Sequence, residues 1–409
     1  MKESKNIAII GGGPSGLMAA EIVTTAGHRV TLYDAMPTVG RKFMLAGRGG
    51  LNLTHNEPLD KFITKYSEAS KWLNPRVKAY PPEKLRKWCE DLGQETFVGS
   101  SGRIFPKAMK ASPLLRAWLK RLEGLGVKYK TRHSWQGFDG KKLIFIDADK
   151  KIVKVRPDAT LLALGGASWP HLGSNGGWVD ILEKCGVKIS ELRPSNCGFI
   201  AKWSEHLVSK FAGTPLKSIS ISHKDFSHKG EIMITKQGIE GGAVYALSAV
   251  LRESIKSDGE AVLNLDLRPE MTIETLSKKL QVRGKKSLST YLRKAGFPPL
   301  SSALLHEFIP SDILVKATPE ILAGYLKSLP IKLTSTADIA RAISTAGGIT
   351  QQSLDKNFML KSKEGVFAAG EMLDWEAPTG GYLLQGCFST AVCASKGMLS
   401  FIKKQSQEK

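Results

Sequence analysis

A short run near the start of the chain constrains it more than any other feature. Asn6–Ile10 is apolar and β-branched, as a strand requires, and it passes directly into Gly11-Gly12-Gly13-Pro14-Ser15-Gly16. The glycines at 11, 13 and 16 form a GxGxxG pattern. A helix-periodic stretch, Leu17–Thr25, follows, with Gly27 at the C-cap position. A second strand, Arg29–Tyr33, ends at Asp34, 23 residues after Gly11. Gly11 permits the tight turn, Gly13 lets the backbone reach a pyrophosphate, and Gly16 allows helix and strand to pack closely. Pro14 and Ser15 stand where the helix opens, and its free N–H groups and positive dipole end favour phosphate. Asp34 lies where a carboxylate accepts hydrogen bonds from an adenosine ribose. A bare GxGxxG is a weak signal, but strand, turn, helix and acid in this order predict a dinucleotide cradle.

Three features favour FAD over NAD as the dinucleotide. The motif begins at Gly11, and basic, glycine-rich sequence follows the second strand: Gly40-Arg41-Lys42, then Ala46-Gly47-Arg48-Gly49-Gly50. The third is at the far end. Gly365–Ala369 reads as a strand closing on Gly370-Glu371, and Pro378-Thr379-Gly380-Gly381-Tyr382 opens an apolar helix from about residue 383 to 402. A second helix N-terminus facing a glycine turn suits the pyrimidine edge of an isoalloxazine, which is anionic when reduced. Glu371, or its backbone, would then meet the ribityl–phosphate region.

These segments, with the internal strand Thr160–Gly166, resemble the glutathione-reductase-type FAD superfamily. More narrowly, Gly40-Arg41-Lys42, Gly49-Gly50-Leu51-Asn52-Leu53-Thr54-His55 and Thr379–Gln385 resemble the BaiN/RdsA-like flavoproteins, the NAD(P)/FAD-dependent oxidoreductases. That family usually has Arg-Cys-Asn where this chain has Gly50-Leu51-Asn52, and Asn where it has His55, which marks a distinct subgroup. The resemblance implies an α/β fold: a Rossmann-like FAD-binding domain with an inserted β-barrel-like domain that carries a small helical bundle. It implies flavin contacts from Gly49 and Asn52, from Gly165 and the turn around Trp169, and from Gly380, Gly381 and Tyr382. Trp169 is either a stacking partner for the ring system or a packing aromatic. The expected boundaries are 1–193 and 346–409 for the FAD-binding domain and 194–345 for the insertion, with helices nested at about 268–330.

Within the middle, Glu95–Lys110 reads as a loop, Ser112 as an N-cap with Pro113 beginning a helix, and Val127–Trp135 as a strand that passes the adenine. Ser218–Ser222, Glu231–Thr235 and Leu263–Leu267 alternate as antiparallel strands do. Arg103, a cation in the loop, is either a flavin- or substrate-facing group or an ordinary surface residue.

Composition limits the partners. Apolar residues make up 42% and charged residues 24%, so disorder is excluded. No stretch reaches the roughly 18 consecutive apolar residues of a membrane span, and the start lacks a secretory pattern. Five scattered cysteines without a CxxC pair read as reduced thiols in a cytoplasmic protein. The formal charge of +21 favours anionic partners: a dinucleotide, an acidic substrate, nucleic acid or a membrane surface. The 275–294 segment holds seven Lys/Arg and no acid, but Tyr291 is its single aromatic, so a solvated face is preferred to an RNA-stacking surface.

The eight histidines show no HxH or HxxxH, so no metal is expected, and no GxSxG elbow is present. The flavin must carry the hard step. The leading expectation is an FAD-dependent oxidoreductase that takes hydride from NAD(P)H and reduces a small organic acceptor, by resemblance a polycyclic enone. No second GxGxxG occurs mid-chain, so NAD(P)H would visit the flavin transiently. A tRNA-modifying or other RNA-acting flavoprotein and an O₂-using oxidase are the alternatives. The sequence assigns no catalytic acid; Tyr382, Arg103 and His55 are the groups to watch.

Overall fold

The structure, a computed structural model, describes residues 4–47, 49–281, 284 and 286–407. Arg48 of the glycine-rich basic stretch, and Arg283 and Lys285 of the 275–294 segment, lie outside the described residues. The chain divides into two compact units, Met1–Arg193 with Ile343–Lys409, and Pro194–Ala342.

Among the described residues, the larger unit is built on a five-stranded parallel sheet. Its strand order is Val366–Ala368, Ala159–Leu162, Asn6–Ile10, Arg29–Tyr33, Lys128–Lys130. The central strands are continuous apolar runs because helices cover both faces of such a sheet. Ile7 to Ile10 and Ala159 to Leu162 are all buried. The helix Pro14–Thr25 packs its buried Leu17, Ala20 and Val23 side toward the sheet and the last helix, Tyr382–Gln405. The first and last helices therefore lie side by side, and both start at the same end of the sheet.

Three local expectations are corrected. Val127–Trp135 is two strands: Lys128–Lys130 ends the parallel sheet, and Ser134–Asp139 begins an antiparallel sheet with Lys142–Ile146 and Ile152–Val155. Arg132 breaks the run in the left-handed region (φ 55°), while the N–H groups of Arg132 and His133 donate to the carbonyls of Met36 and Asp34. Glu95–Lys110 is not a loop, since Thr96–Val98 and Arg103–Pro106 pair antiparallel, and the latter also pairs with Thr54–His55. The stacked rings of Phe97 and Phe105, 5.8 Å apart, hold that hairpin across a glycine-containing turn. The helix Ala111–Gly124 starts earlier than expected: extended Lys110 is its N-cap, and Ser112 and Pro113 lie in its first turn.

In the smaller unit a closed six-stranded barrel follows the order Phe199–Ala201, Gly238–Glu240, Phe226–Ile234, Pro215–His223, Ala261–Asp266, Leu329–Thr336. Between the last two in sequence lie short helices from Ile273–Lys279 to Pro319–Lys327. These share one core with the barrel, in which Leu276, Leu292 and Leu326 join barrel residues such as Ile221, Leu263 and Ile331.

Candidate cofactor-binding site

The glycine turn works by close approach. A Cβ on Gly16 would sit 1.8 Å from the Gly11 carbonyl oxygen, so helix and strand meet only because that side chain is missing. Gly13, at φ −79° and ψ −176°, is the opposite case: a Cβ there meets nothing within 4 Å. The space it faces belongs to a solvent-open cavity. Gly11, Gly13, Pro14, Ser15, Asp34, Arg41, Lys42, Gly165 and Glu371 all line it. The two chain ends are thereby brought together in one wall.

The charges in that wall are largely settled among themselves. Asp34 accepts the N–H of Gly12 on one carboxylate oxygen and that of Met36 on the other, each at 2.7 Å. Burial raises its carboxyl above the ordinary range, against those amides and Arg41. Each oxygen keeps a second lone pair for a ribose hydroxyl. Lys42 Nζ lies 2.7 Å from Glu371 Oε2 and 2.6 Å from Ser168 Oγ, while Glu371 Oε1 accepts the Thr345 N–H at 3.1 Å. Thr345 Oγ1 in turn accepts the Ala167 N–H. Four distant segments converge on this one ion pair. Beneath it Cys387 lines the cavity, and burial pushes its thiol up to about 12.

What remains unpaired is informative. Arg41 Nε, Ser174 Oγ and Trp135 Nε1 are buried without a hydrogen-bond partner, and all three residues line the cavity. Each of these atoms can donate. Together with the N–H groups at the start of Pro14–Thr25, they form a donor set suited to a pyrophosphate and its attached groups. The residues present thus fit an FAD-type dinucleotide.

Other predicted residues lie elsewhere. Gly370 packs on Ser15, where an added Cβ would be 2.3 Å from Ser15 Oγ. Gly381 backs against the Thr54 main chain. Gly49 follows the short helix Arg41–Ala46, and Asn52 has a buried, unpartnered Oδ1. Trp169 is not in the cavity wall; it is partly exposed and meets His171 edge-on at 5.6 Å. Tyr382 starts the last helix, and its phenol donates to Glu57 Oε1. His55 stacks on the Tyr382 ring at 5.4 Å, with Nδ1 3.9 Å from Glu57. Burial and the Glu57 carboxylate raise the Tyr382 phenol well above its ordinary value, opposed by Arg103. Thr54 Oγ1 and Gln385 Oε1, 2.8 Å apart, hold this block against the helix. Sequence reasoning missed His133 and Trp135, because only strand pairing brings them to the Asp34 end. Among the described residues no group of three or more His, Cys, Asp or Glu is placed to hold a metal ion.

A parallel sheet with a GxGxxG cradle at its centre and the C-terminal strand and helix returning to that cradle defines the class: an FAD-binding Rossmann fold with an inserted barrel. More particularly, the chain belongs to the HI0933-like protein Rossmann domain family of FAD-dependent oxidoreductases, whose model matches residues 5–397. It is 25% identical over 415 residues to a 3-dehydro-bile acid delta(4,6)-reductase of Clostridium scindens, covering 95% of this chain and 98% of that protein. A ribosomal RNA dihydrouridine synthase of Haemophilus influenzae is 23% identical over 408 residues, covering 96% and 98%. Among solved structures, 3-ketosteroid delta1-dehydrogenase of Sterolibacterium denitrificans shares the fold, with TM-score 0.53 at 11% identity over 97% of this chain and 99% of that one. No helix among the described residues is long and apolar enough to cross a membrane.

Proposed function

We propose that this protein uses FAD to reduce a carbon–carbon double bond conjugated to a carbonyl, with NAD(P)H visiting transiently as hydride source. The observation that carries the reading is the donor-lined cavity at the first helix, shared by both chain ends, with a second glycine-led helix start beside it. Bound FAD would supply the two-electron chemistry. The chain's own residues bind and orient. The amides around Gly13–Ser15 and the Arg41 guanidinium would hold its pyrophosphate, Asp34 would hold the ribose, and Glu371, fixed by Lys42, would meet the ribityl region. The N–H groups opening Tyr382–Gln405 would favour negative charge on the pyrimidine edge of the bound group. Reduction of such an acceptor also needs a proton, and Tyr382 with Glu57 and His55 is the proton-bearing cluster at that helix start.

Similarity to a bile acid delta(4,6)-reductase supports a conjugated double bond as the acceptor. Uracil offers the same arrangement, its C5–C6 double bond being conjugated to the C4 carbonyl. The charge of +21 and the similarity to a dihydrouridine synthase therefore favour an RNA uracil as a second reading. The basic 275–294 segment does not add to it: Tyr291 is buried, with its hydroxyl donating to the Leu280 carbonyl, and offers no stacking face.

The test is anaerobic. NADH or NADPH should bleach the visible flavin band, and an unsaturated 3-oxo-steroid should restore it with stoichiometric saturation of the double bond. If neither nicotinamide bleaches the flavin, the nicotinamide part fails while FAD binding stands. Reoxidation by ribosomal RNA fragments but not by the steroid, with binding that survives raised salt, would replace the first reading with the second.

A further inference from the structure

We propose that Tyr382 is reprotonated through a relay in which His55 passes a proton to it by way of the Glu57 carboxylate. The inference rests on the reduction reading above and deepens it to the path the proton takes. Glu57 and His55 act through Tyr382 and need not touch the acceptor.

Glu57 Oε1 accepts the Tyr382 phenol, and the same oxygen lies 3.9 Å from His55 Nδ1. On the far side of the imidazole, Nε2 is 3.0 Å from the Ser101 carbonyl. A carbonyl only accepts, so Nε2 carries a proton whether the ring is neutral or charged. The proton that comes and goes does so at Nδ1, which is buried without a hydrogen-bond partner. Tyr382 Oη, Glu57 Oε1 and His55 Nδ1 thus form one succession of proton-carrying atoms. Closing the gap at Nδ1 to hydrogen-bond distance takes about 1 Å of side-chain motion.

Both rings are seated on glycines. A Cβ on Gly102 (φ 78°) would lie 2.6 Å from His55 Cε1, and one on Gly380 (φ 131°) 2.7 Å from Tyr382 Cε2. A side chain at either position would push its ring away. The two rings stack with 17° between their planes, and Tyr66 donates to the Tyr382 carbonyl at 2.8 Å. The His55 and Glu57 side chains are each 16% exposed, enough for water to reach the relay at its outer end. The charged and titratable groups facing the imidazole are Glu57, Tyr382 on the last helix, and Arg103, its register partner on the neighbouring strand.

Saturating the double bond takes up a hydride at the carbon remote from the carbonyl and a proton at the carbon beside it. The Tyr382 O–H bond breaks to supply that proton. Without a relay, a phenolate would then face the Glu57 carboxylate, two anions in a half-buried place, which is costly. Burial and that carboxylate already hold the phenol well above its ordinary value, with Arg103 opposing. A proton at Nδ1 removes the conflict: it passes to Glu57 Oε1, and the carboxyl group formed there returns a proton to Tyr382 Oη. The net loss is one proton from His55, which water replaces.

Stopped-flow reoxidation of photoreduced holoenzyme by the unsaturated 3-oxo-steroid, followed from about pH 6 to 9, tests the relay. The wild-type rate should fall about tenfold or more across that range as the imidazole loses its proton. Glu57→Gln and His55→Phe should each be about 10²-fold slower at the acid end and lose the pH dependence. Added imidazole should speed His55→Ala about tenfold or more and leave Glu57→Gln slow. A second readout needs no flavin: in apoprotein, the tyrosinate absorbance of Tyr382, taken as the difference from Tyr382→Phe, should appear at lower pH in Glu57→Gln than in the wild-type chain. If Glu57→Gln fails to fold, as circular dichroism would show, imidazole rescue of His55→Ala decides the question. A folded Glu57→Gln with the wild-type rate, a wild-type pH profile kept by His55→Phe, or His55→Ala without rescue overturns the relay alone. A reduced wild-type holoenzyme that no conjugated acceptor reoxidises overturns the reduction reading as well.

Discussion

Gly13 and Gly16 belong to one motif but should fail in different ways when substituted. At Gly13 the backbone is extended, and a Cβ would enter open space. Gly13→Val therefore costs the fold little, at most about 1 kcal/mol as a poor N-cap. The new side chain would instead occupy the approach to the helix N–H groups. Losing two charge-assisted hydrogen bonds of about 1.5–3 kcal/mol each removes about 3–6 kcal/mol, or a factor of about 10² to 10⁴ in FAD affinity. At Gly16 the added Cβ lies 1.8 Å from the Gly11 oxygen, a contact with backbone that no rotamer change relieves. Gly16→Ala should thus lower stability by at least about 1–3 kcal/mol, seen as a melting midpoint several degrees lower in the apoprotein. The assay pairs the flavin-to-protein absorbance ratio after purification with thermal melts of apoprotein. Stoichiometric FAD retained in Gly13→Val, or Gly16→Ala melting with the wild type, would refute the division of labour.

Further outcomes follow from the site. Lys42→Ala leaves the Glu371 carboxylate, 8% exposed, without its cation, and should destabilise the fold by about 3–5 kcal/mol in denaturant titrations, with Lys42→Arg milder. Burial holds the thiols of Cys89 and Cys387 at about 12, against the ordinary thiol near 9. The folded chain therefore keeps protons that the unfolded chain releases. Stability should be complete below about pH 9 and fall as pH rises toward 12, by up to about 1.4 kcal/mol per pH unit for each thiol. Cys89→Ala should remove one share of that slope in alkaline melts. Tyr382→Phe should leave NAD(P)H bleaching intact but slow flavin reoxidation by the acceptor about 10²-fold or more, measured by stopped flow; an unchanged rate would exclude the phenol as proton source.

Much of the cofactor end was legible because local rules act on contiguous residues. Gly11 to Gly16, Asp34 and the turn before Tyr382 are each read within a few positions, and the strand and helix periods around them are strong. The hairpin within Glu95–Lys110 was hidden because its glycines and Pro106 mimic a loop, while the pairing that overrides them comes from Thr54–His55. The break at Arg132 was hidden for a similar reason, since the hydrogen bonds that Arg132 and His133 donate to the Met36 and Asp34 carbonyls set it rather than its own propensity.

By itself the sequence determined the glycine turn, the apolar strands on either side of it and the presence of a second helix start at the far end, because backbone conformation and periodicity are written locally. Only the tertiary structure decided that Lys42 is tied to Glu371, that Tyr382 rests on Glu57 beneath His55, and that Trp135 and His133 join the Asp34 wall. Those partners are separated by up to 329 residues, as Lys42 and Glu371 are. Charge neutralisation and hydrogen bonding act through space, and the spacing along a chain carries no record of them until the sheet has brought the segments together.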